Sequence, residues 1–259
     1  MDNIVRYYDR YNEDIRLIKD RAHQIEFITT TKYLDEFMKK GMNVLDLGAG
    51  TGRYSIHMAS NGVDVTAVDI VPKHVEEIRN KANEKNVELK AVVGNGKDLR
   101  EFEENSFDAV ICLGPLYHIS DNEGRARCIE ECLRVLKPNG VFMAAYINRY
   151  AVFANMIGRD KNNINDQGLI NIYKTGREFG NEKDVFYFSS YSEIEGIMDK
   201  LKVNKEKHIT TDGMMSTLAT KINEFKDDEF EKWMEYHLLT CEESSLVGCG
   251  LHGLYIGKL

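Results

Sequence analysis

Three glycines at alternate positions, Gly48, Gly50 and Gly52, follow a short apolar run, Asn43-Val-Leu-Asp-Leu47, and lead into the helical pattern of Thr51 to Ser60. Glycine at such spacing lets a backbone turn sharply and lets a ligand approach it, because no Cβ intrudes. A buried strand delivered straight into a helix through such a turn is the start of an α/β sheet. In open sheets of that kind, ligands bind beyond the carboxyl ends of the strands, near the point where strand order reverses.

The periodicity downstream agrees. Strands are expected at 64–69, 88–93, 107–113 and 141–147, separated by helices at 72–86 and at a segment opened by Ser120-x-x-Glu123. Strands alternating with helices of 10–15 residues make βαβ units and a parallel sheet covered on both faces. Residues 1–40 read as helical, 148–185 as polar and irregular, and 192–201 as a helix capped by Ser192-x-x-Glu195. Two late strands are expected at 202–210 and 251–259, with helical material between them at 214–240. The fold class is therefore α/β, a Rossmann-like doubly wound sheet of about seven strands, mostly parallel with a late antiparallel strand. One domain over 1–259 is expected, with helical material at 1–40, a regular βαβ core at 41–147, and insertions at 148–185 and 212–248.

The turn alone suits several nucleotide cofactors, and two details separate them. The dinucleotide fingerprint GxGxxG needs a glycine at position 53, which is Arg53 here, and no Gly-Lys-Ser/Thr follows as a phosphate-binding P-loop requires. Asp46 stands just ahead of the glycines, where a carboxylate favours a ligand amino group and repels a pyrophosphate. Asp69 ends the next strand, where a carboxylate can accept from both ribose hydroxyls.

At these residues the chain resembles the class I S-adenosylmethionine-dependent methyltransferases. Val44-Leu-Asp-Leu-Gly-Ala-Gly-Thr-Gly52 looks like the first motif of that family, Val65-Thr-Ala-Val-Asp-Ile70 the second and Gly94-Asn-Gly-Lys-Asp-Leu99 the third. Phe107-Asp-Ala-Val110 with Leu113, and Leu133-Arg-Val-Leu-Lys-Pro-Asn-Gly140, look like the fourth and fifth. The resemblance implies S-adenosylmethionine as cofactor and S-adenosylhomocysteine as product. It implies Asp46, Gly48, Ala49, Gly50 and Gly52 at the methionine end, Asp69 on the ribose, and Ile70 with Asn95, Gly96 and Leu113 around the base and the centre. Asn95 replaces the acidic residue usual in the third motif, and an amide can still address an adenine edge.

Methyl transfer from a sulfonium is an in-line displacement that needs alignment and, for some acceptors, removal of a proton. Gly114-Pro-Leu-Tyr-His-Ile119 follows the fourth strand and differs from the Asn/Asp-Pro-Pro-Tyr signature that the resemblance would link to amino-group methylation. Tyr117 and His118 are the catalytic candidates there, His118 as a general base with an ordinary pKa near neutrality. In similar enzymes an N-terminal segment folds over the cofactor, and Tyr8, Tyr11 and Arg21 are the candidates for it; Tyr11 is also a candidate on the acceptor side. Near the late strands, His237, Cys241 and His252 are candidates for the acceptor pocket, since insertions there commonly form it in the family.

Charge narrows the acceptor. With 34 Lys and Arg against 42 Asp and Glu, the net charge of −8 disfavours a general polyanion binder, so no nucleic acid is expected. No apolar stretch approaches the roughly 20 residues of a membrane span, and no secretory signal is read at the N-terminus. The five cysteines, odd in number and without a CxxC pair, suit a reducing cytoplasm, and cytoplasmic localisation is expected. Cys128 and Cys132, four apart on one helix, are expected in the core; no metal is expected, and the thiols look too scattered to gather at a pocket. The reading is a methyltransferase acting on a small-molecule acceptor, similar to the quinone-biosynthesis branch, as monomer or homodimer. The alternatives are RNA or protein methylation, or S-adenosylmethionine binding without turnover; a dehydrogenase is the remaining outside reading.

Overall fold

The computed structural model describes residues 2–181 and 184–259. Seven strands form one sheet: β1 (Asn43–Leu47), β2 (Asp64–Asp69), β3 (Lys90–Val93), β4 (Phe107–Cys112), β5 (Leu136–Ile147), β6 (Asn204–Thr210) and β7 (His252–Lys258). Their order is β3-β2-β1-β4-β5-β7-β6, with β7 antiparallel to both neighbours and the other pairs parallel. Strand order reverses between β1 and β4, so the crevice at their carboxyl ends is where the sheet leaves room for a ligand.

Side-chain alternation explains the layers. Val44, Val65, Ala109, Ile111, Val141 and Met143 face a core shared with α2 (Arg21–Phe37) and α3 (Arg53–Ser60). Ala67 and Ala91, on that same face, pack against Val75 and Ile78 of α4 (Pro72–Lys85). Leu45, Leu47, Val110, Cys112, Phe142 and Ala144 point the other way, onto α5 (Asn122–Val135) and α8 (Tyr191–Lys200). A strand buried on both faces is mostly apolar, and the polar residues of these strands sit mostly near their ends. Asp46 is the exception in β1, and it is 1% exposed.

Several sequence expectations change. Residues 1–40 are not one helical region: α1 (Asp2–Tyr8) ends well before α2, and a short 3-10 turn at Glu13–Ile15 lies between them. Asp20 caps α2, accepting from the His23 amide at 3.0 Å, which fixes that break. Helix α5 is capped by Asp121, whose carboxylate accepts from the Gly124 amide at 2.5 Å, rather than by Ser120. Helix α8 is capped by Ser190 rather than Ser192. Lys137-Pro-Asn-Gly140 does not separate helix from strand but lies within β5, with Asn139 at φ 64°.

The segment 148–185 is not irregular. It holds α6 (Arg149–Arg159) and α7 (Gln167–Thr175), capped by Asn148 and Asp166, with Gly176 closing α7 in the left-handed conformation. The late helices are α9 (Met215–Asn223), α10 (Asp227–Thr240) and α11 (Ser244–Val247). Ile222, Phe230 and Met234 from this group cover Ala22 and Ile25 of α2. Among the described residues, no helix is long and apolar enough to cross a membrane.

Candidate functional site

Two adjoining clefts lie over the glycine turn. One, of about 680 Å3 and open to solvent, is lined by Leu47, Gly48, Gly50, Asp69, Ile70, Asn95 and Gly96, with Pro115, Tyr117, His118, Ile4 and Tyr8 on the facing side. The other, about 430 Å3, shares Glu13, Gly48, Gly50 and Tyr117 with it and adds Arg16, Asp46, Ala49, Tyr54 and Leu113.

The glycines do different work. Gly48 sits at φ +73°, and a Cβ on it would lie 2.5 Å from Pro115 Cδ, so only glycine lets the two loops close together. Gly52, also left-handed, would meet Ile78 Cγ1 at 2.6 Å; it packs α3 on α4 and is absent from the lining of either cleft. Asp69 fixes the turn: its carboxylate accepts from the amides of Gly50 and Val71, both at 2.8 Å, and contacts His74 Nδ1 at 3.2 Å.

Asp46 closes the inner end. Ser55 donates to it at 2.5 Å, and no cation pairs with it among the described residues. Burial pushes its pKa up to about 7, the Ser55 bond opposing and the Asp69 charge adding to the rise. Nearby, the Tyr54 hydroxyl is buried with no hydrogen-bond partner. A buried acid lacking a counter-charge beside an unsatisfied hydroxyl is what a ligand bearing an ammonium group would complete.

The facing wall is aromatic. His118 Nδ1 is 3.0 Å from the Val185 carbonyl, which can only accept, so Nδ1 carries the proton. That leaves the Nε2 lone pair to accept from the Tyr8 hydroxyl at 2.8 Å. Burial lowers the His118 pKa, against the Val185 carbonyl and the Asp69 charge, so the ring is neutral at pH 7. Burial likewise holds the Tyr8 phenol well above its usual value. Tyr117 lines both clefts, but its hydroxyl donates to the Leu113 carbonyl at 2.8 Å. Phe186 stands 4.9 Å from the His118 ring and 5.3 Å from that of Tyr7, and the Tyr187 amide donates to the Tyr117 carbonyl at 2.8 Å.

Below Tyr11, the Glu13–Ile15 turn is latched to the glycine loop. Arg53 Nε donates to the Asp14 carbonyl at 2.6 Å, Thr51 donates to the Asp14 carboxylate at 3.1 Å, and Lys81 pairs with the same carboxylate. Arg16 is brought to the second cleft by a paired grip on Glu26 at 2.7 and 3.1 Å and a bond to Glu13 at 2.8 Å. Glu26 is held down to about 2: its burial, the largest single influence, works against this, and the Arg16 charge, the His252 charge and the Arg16 hydrogen bonds together outweigh it.

The expected site residues therefore divide. Asp46, Gly48, Ala49, Gly50, Asp69, Ile70, Asn95, Gly96, Leu113, Tyr117, His118 and Tyr8 line the two clefts. Arg21 does not; it pairs at 2.6 Å with Asp227 and lies 5.3 Å over the Phe230 ring. Tyr11 stacks on Tyr7 at 5.5 Å, on the outer rim with Arg6 and Arg10. The late residues line neither cleft: buried His237 bonds Thr29 at 2.9 Å, buried Cys241 bonds the Tyr33 hydroxyl at 3.2 Å, and half-buried His252 bonds Asp212 at 2.8 Å and faces Glu26 at 3.5 Å. No residue of 212–248 lines either cleft. Arg16, Glu13, His74 and Phe186 were not singled out. The charge cluster Glu13-Asp-Ile-Arg16 was the one signal for two of them. Three of the five thiols also prove gathered rather than scattered.

Comparison with known proteins agrees with this geometry. Residues 44–140 match the family described as a methyltransferase domain. Over 109 residues the chain is 38% identical to a ubiquinone biosynthesis O-methyltransferase of Xanthomonas oryzae, covering 42% of this chain and 44% of that protein. A protein of the same description from Xanthomonas euvesicatoria is 33% identical over 126 residues, 49% of each. The chain thus spans less than half the length of the curated relatives it matches. Among solved structures, a protein from Pyrococcus horikoshii superposes with a TM-score of 0.63 at 20% identity, covering 98% of both chains. A structure described as a SAM-dependent methyltransferase from Methanosarcina mazei gives 0.60 at 16% identity, over 87% of this chain and 96% of that one. These likenesses establish the fold.

Proposed function

We propose that this chain, whose residues 44–140 form a class I S-adenosylmethionine-dependent methyltransferase domain, transfers a methyl group to a hydroxyl of a small-molecule acceptor. The observation that carries the reading is Asp46, a buried acid without a counter-charge at one end of a groove whose other parts offer Asp69 and a neutral His118.

S-adenosylmethionine, when bound, supplies a methyl group on a positively charged sulfur with a neutral thioether as leaving group. Asp46 would take its amino group and Arg16 its carboxylate. Asp69 would accept from the ribose, and Ile70, Asn95 and Gly96 would border the adenine. His118 would accept the acceptor's proton at Nε2, directly or through the Tyr8 hydroxyl that now occupies that lone pair. Tyr117, its own hydroxyl engaged, would position the loop rather than exchange protons. The turn at Glu13–Ile15 and α1, fastened through Asp14 and Tyr8, would shield the reacting atoms from water. The acceptor would enter past Tyr7, Tyr11 and Phe186, and the whole of 1–259 would act as one domain. The Xanthomonas relatives, described as O-methyltransferases, support an oxygen acceptor.

Calorimetry with S-adenosylhomocysteine and with NAD tests the cofactor, and methyl-labelled S-adenosylmethionine with a panel of small phenols tests the acceptor. One-to-one binding of S-adenosylhomocysteine, none of NAD, and label on a phenol are expected. Absence of S-adenosylhomocysteine binding would overturn the reading.

A further inference from the structure

We infer that Cys112, Cys128 and Cys132 form a binding site for a trivalent thiophilic metalloid hydroxide, separate from the methyl-transfer groove. Cys112 ends β4, while Cys128 and Cys132 stand one turn apart on α5, the helix packed over it. Their sulfur atoms all lie within 4.8 Å of one another, and each residue is 0% exposed. Three sulfurs bound to one atom at about 2.3 Å would lie roughly 4 Å apart, so the triad can close on one centre by side-chain rotation alone.

Charge selects the ligand. The triad is set among Leu45, Leu47 and Ile129, and the charges that reach Cys128, Lys97 and Glu131, are of opposite sign and supply no net compensation. A divalent metal binding three thiolates would leave a net negative charge in this apolar setting, which burial penalises. A trivalent hydroxide of the arsenite type leaves none. Three As–O bonds break and three As–S bonds form; the three thiol protons leave with the hydroxides as three waters, and arsenic stays trivalent. The product is neutral. Access runs beside Gly96, which lines the groove and has no side chain: a Cβ there would lie 3.1 Å from Cys128 Sγ.

The test uses the reduced full chain with arsenite and measures intact mass without denaturation. A gain of one arsenic with loss of three hydrogens is expected, together with a higher melting temperature. Thiol alkylation after unfolding, with peptide mapping, should find Cys112, Cys128 and Cys132 shielded and Cys249 labelled. Cys128→Ser and Cys132→Ser should each weaken arsenite binding at least tenfold, while Cys249→Ser, at an exposed thiol, should not. No adduct on the wild-type chain, loss of only two hydrogens, or shielding that includes Cys249 would overturn the inference, whether or not the serine variants fold.

Discussion

The two walls of the groove are built by opposite means. On the glycine side, position is set by the main chain: β1 and β2 end side by side, the loop turns left-handed at Gly48 and Gly50, and Asp69 at the end of β2 accepts from the backbone of the loop that follows β1. On the aromatic side, position is set by side chains meeting across long stretches of sequence: Tyr8 with His118, His118 with Val185, Arg16 with Glu26. The first wall is a property of a contiguous motif. The second exists only once distant segments are folded together, so it can differ between relatives without disturbing the sheet.

That contrast can be broken by substitution. The largest effect is expected at Arg16, whose loss takes from the buried Glu26 its two-bond partner and leaves it facing His252 at 3.5 Å. Arg16→Met should destabilise the fold by about 3–5 kcal/mol, read by urea unfolding, without altering the sheet's circular dichroism at low temperature. In the unaltered protein, Glu26 ionises well below its usual value. Its contribution is therefore complete above the unfolded value near 4.5 and is lost as pH falls through about 2, so acid unfolding of the wild type should be displaced downward relative to the variant.

His118→Ala should lower single-turnover methyl transfer about 100-fold with little change in S-adenosylhomocysteine affinity. Because burial lowers its pKa, the wild-type rate should stay level from neutral pH down past 6.5 and fall only in more acid solution. An unchanged rate in the variant would remove the base role and leave the aromatic wall purely steric.

A smaller and more informative effect is expected at Asp46. Asp46→Asn should weaken S-adenosylhomocysteine about tenfold, near 1.4 kcal/mol, yet raise the melting temperature of the ligand-free protein at pH 8. The sign follows from the raised pKa: ionising Asp46 costs stability as pH climbs from the unfolded value towards about 7, and asparagine removes that cost. If both properties fall, the glycine wall depends on the charge for its shape. The smallest effect is expected at Arg21→Ala. Its partner Asp227 is exposed, so stability should move by less than about 0.5 kcal/mol and ligand affinity not at all.

What could be read from the chain follows the same division. Although their order in the sheet was not read, the strands themselves were legible because period, β-branching and turns are local. So were Asp46, the glycine loop and Asp69, because strand ends fix them. The helices at 149–159 and 167–175 were hidden by their polar faces, although Asn148 and Asp166 stood ready as caps. His237, Cys241 and His252 looked functional by residue type. Their bonds to Thr29, Tyr33 and Asp212 satisfy them inside the fold, and those partners cannot be paired from one sequence. Arg16 was passed over for Arg21 because nothing local revealed the break in the N-terminal helices that Asp20 caps.

The place of β7 between β5 and β6 bears on how the chain is made. As it leaves the ribosome, β6 is finished first but has no edge to join, since the strand that links it to β5 is synthesised some 40 residues later. Five strands and the glycine turn can assemble meanwhile, and α5 can cover its side of them. The growing chain should thus hold ligand-binding elements while Met143 and Leu254 still lack each other's company. That interval exposes the β5 edge, and it is when a nascent chain of this topology is most open to pairing with a neighbour.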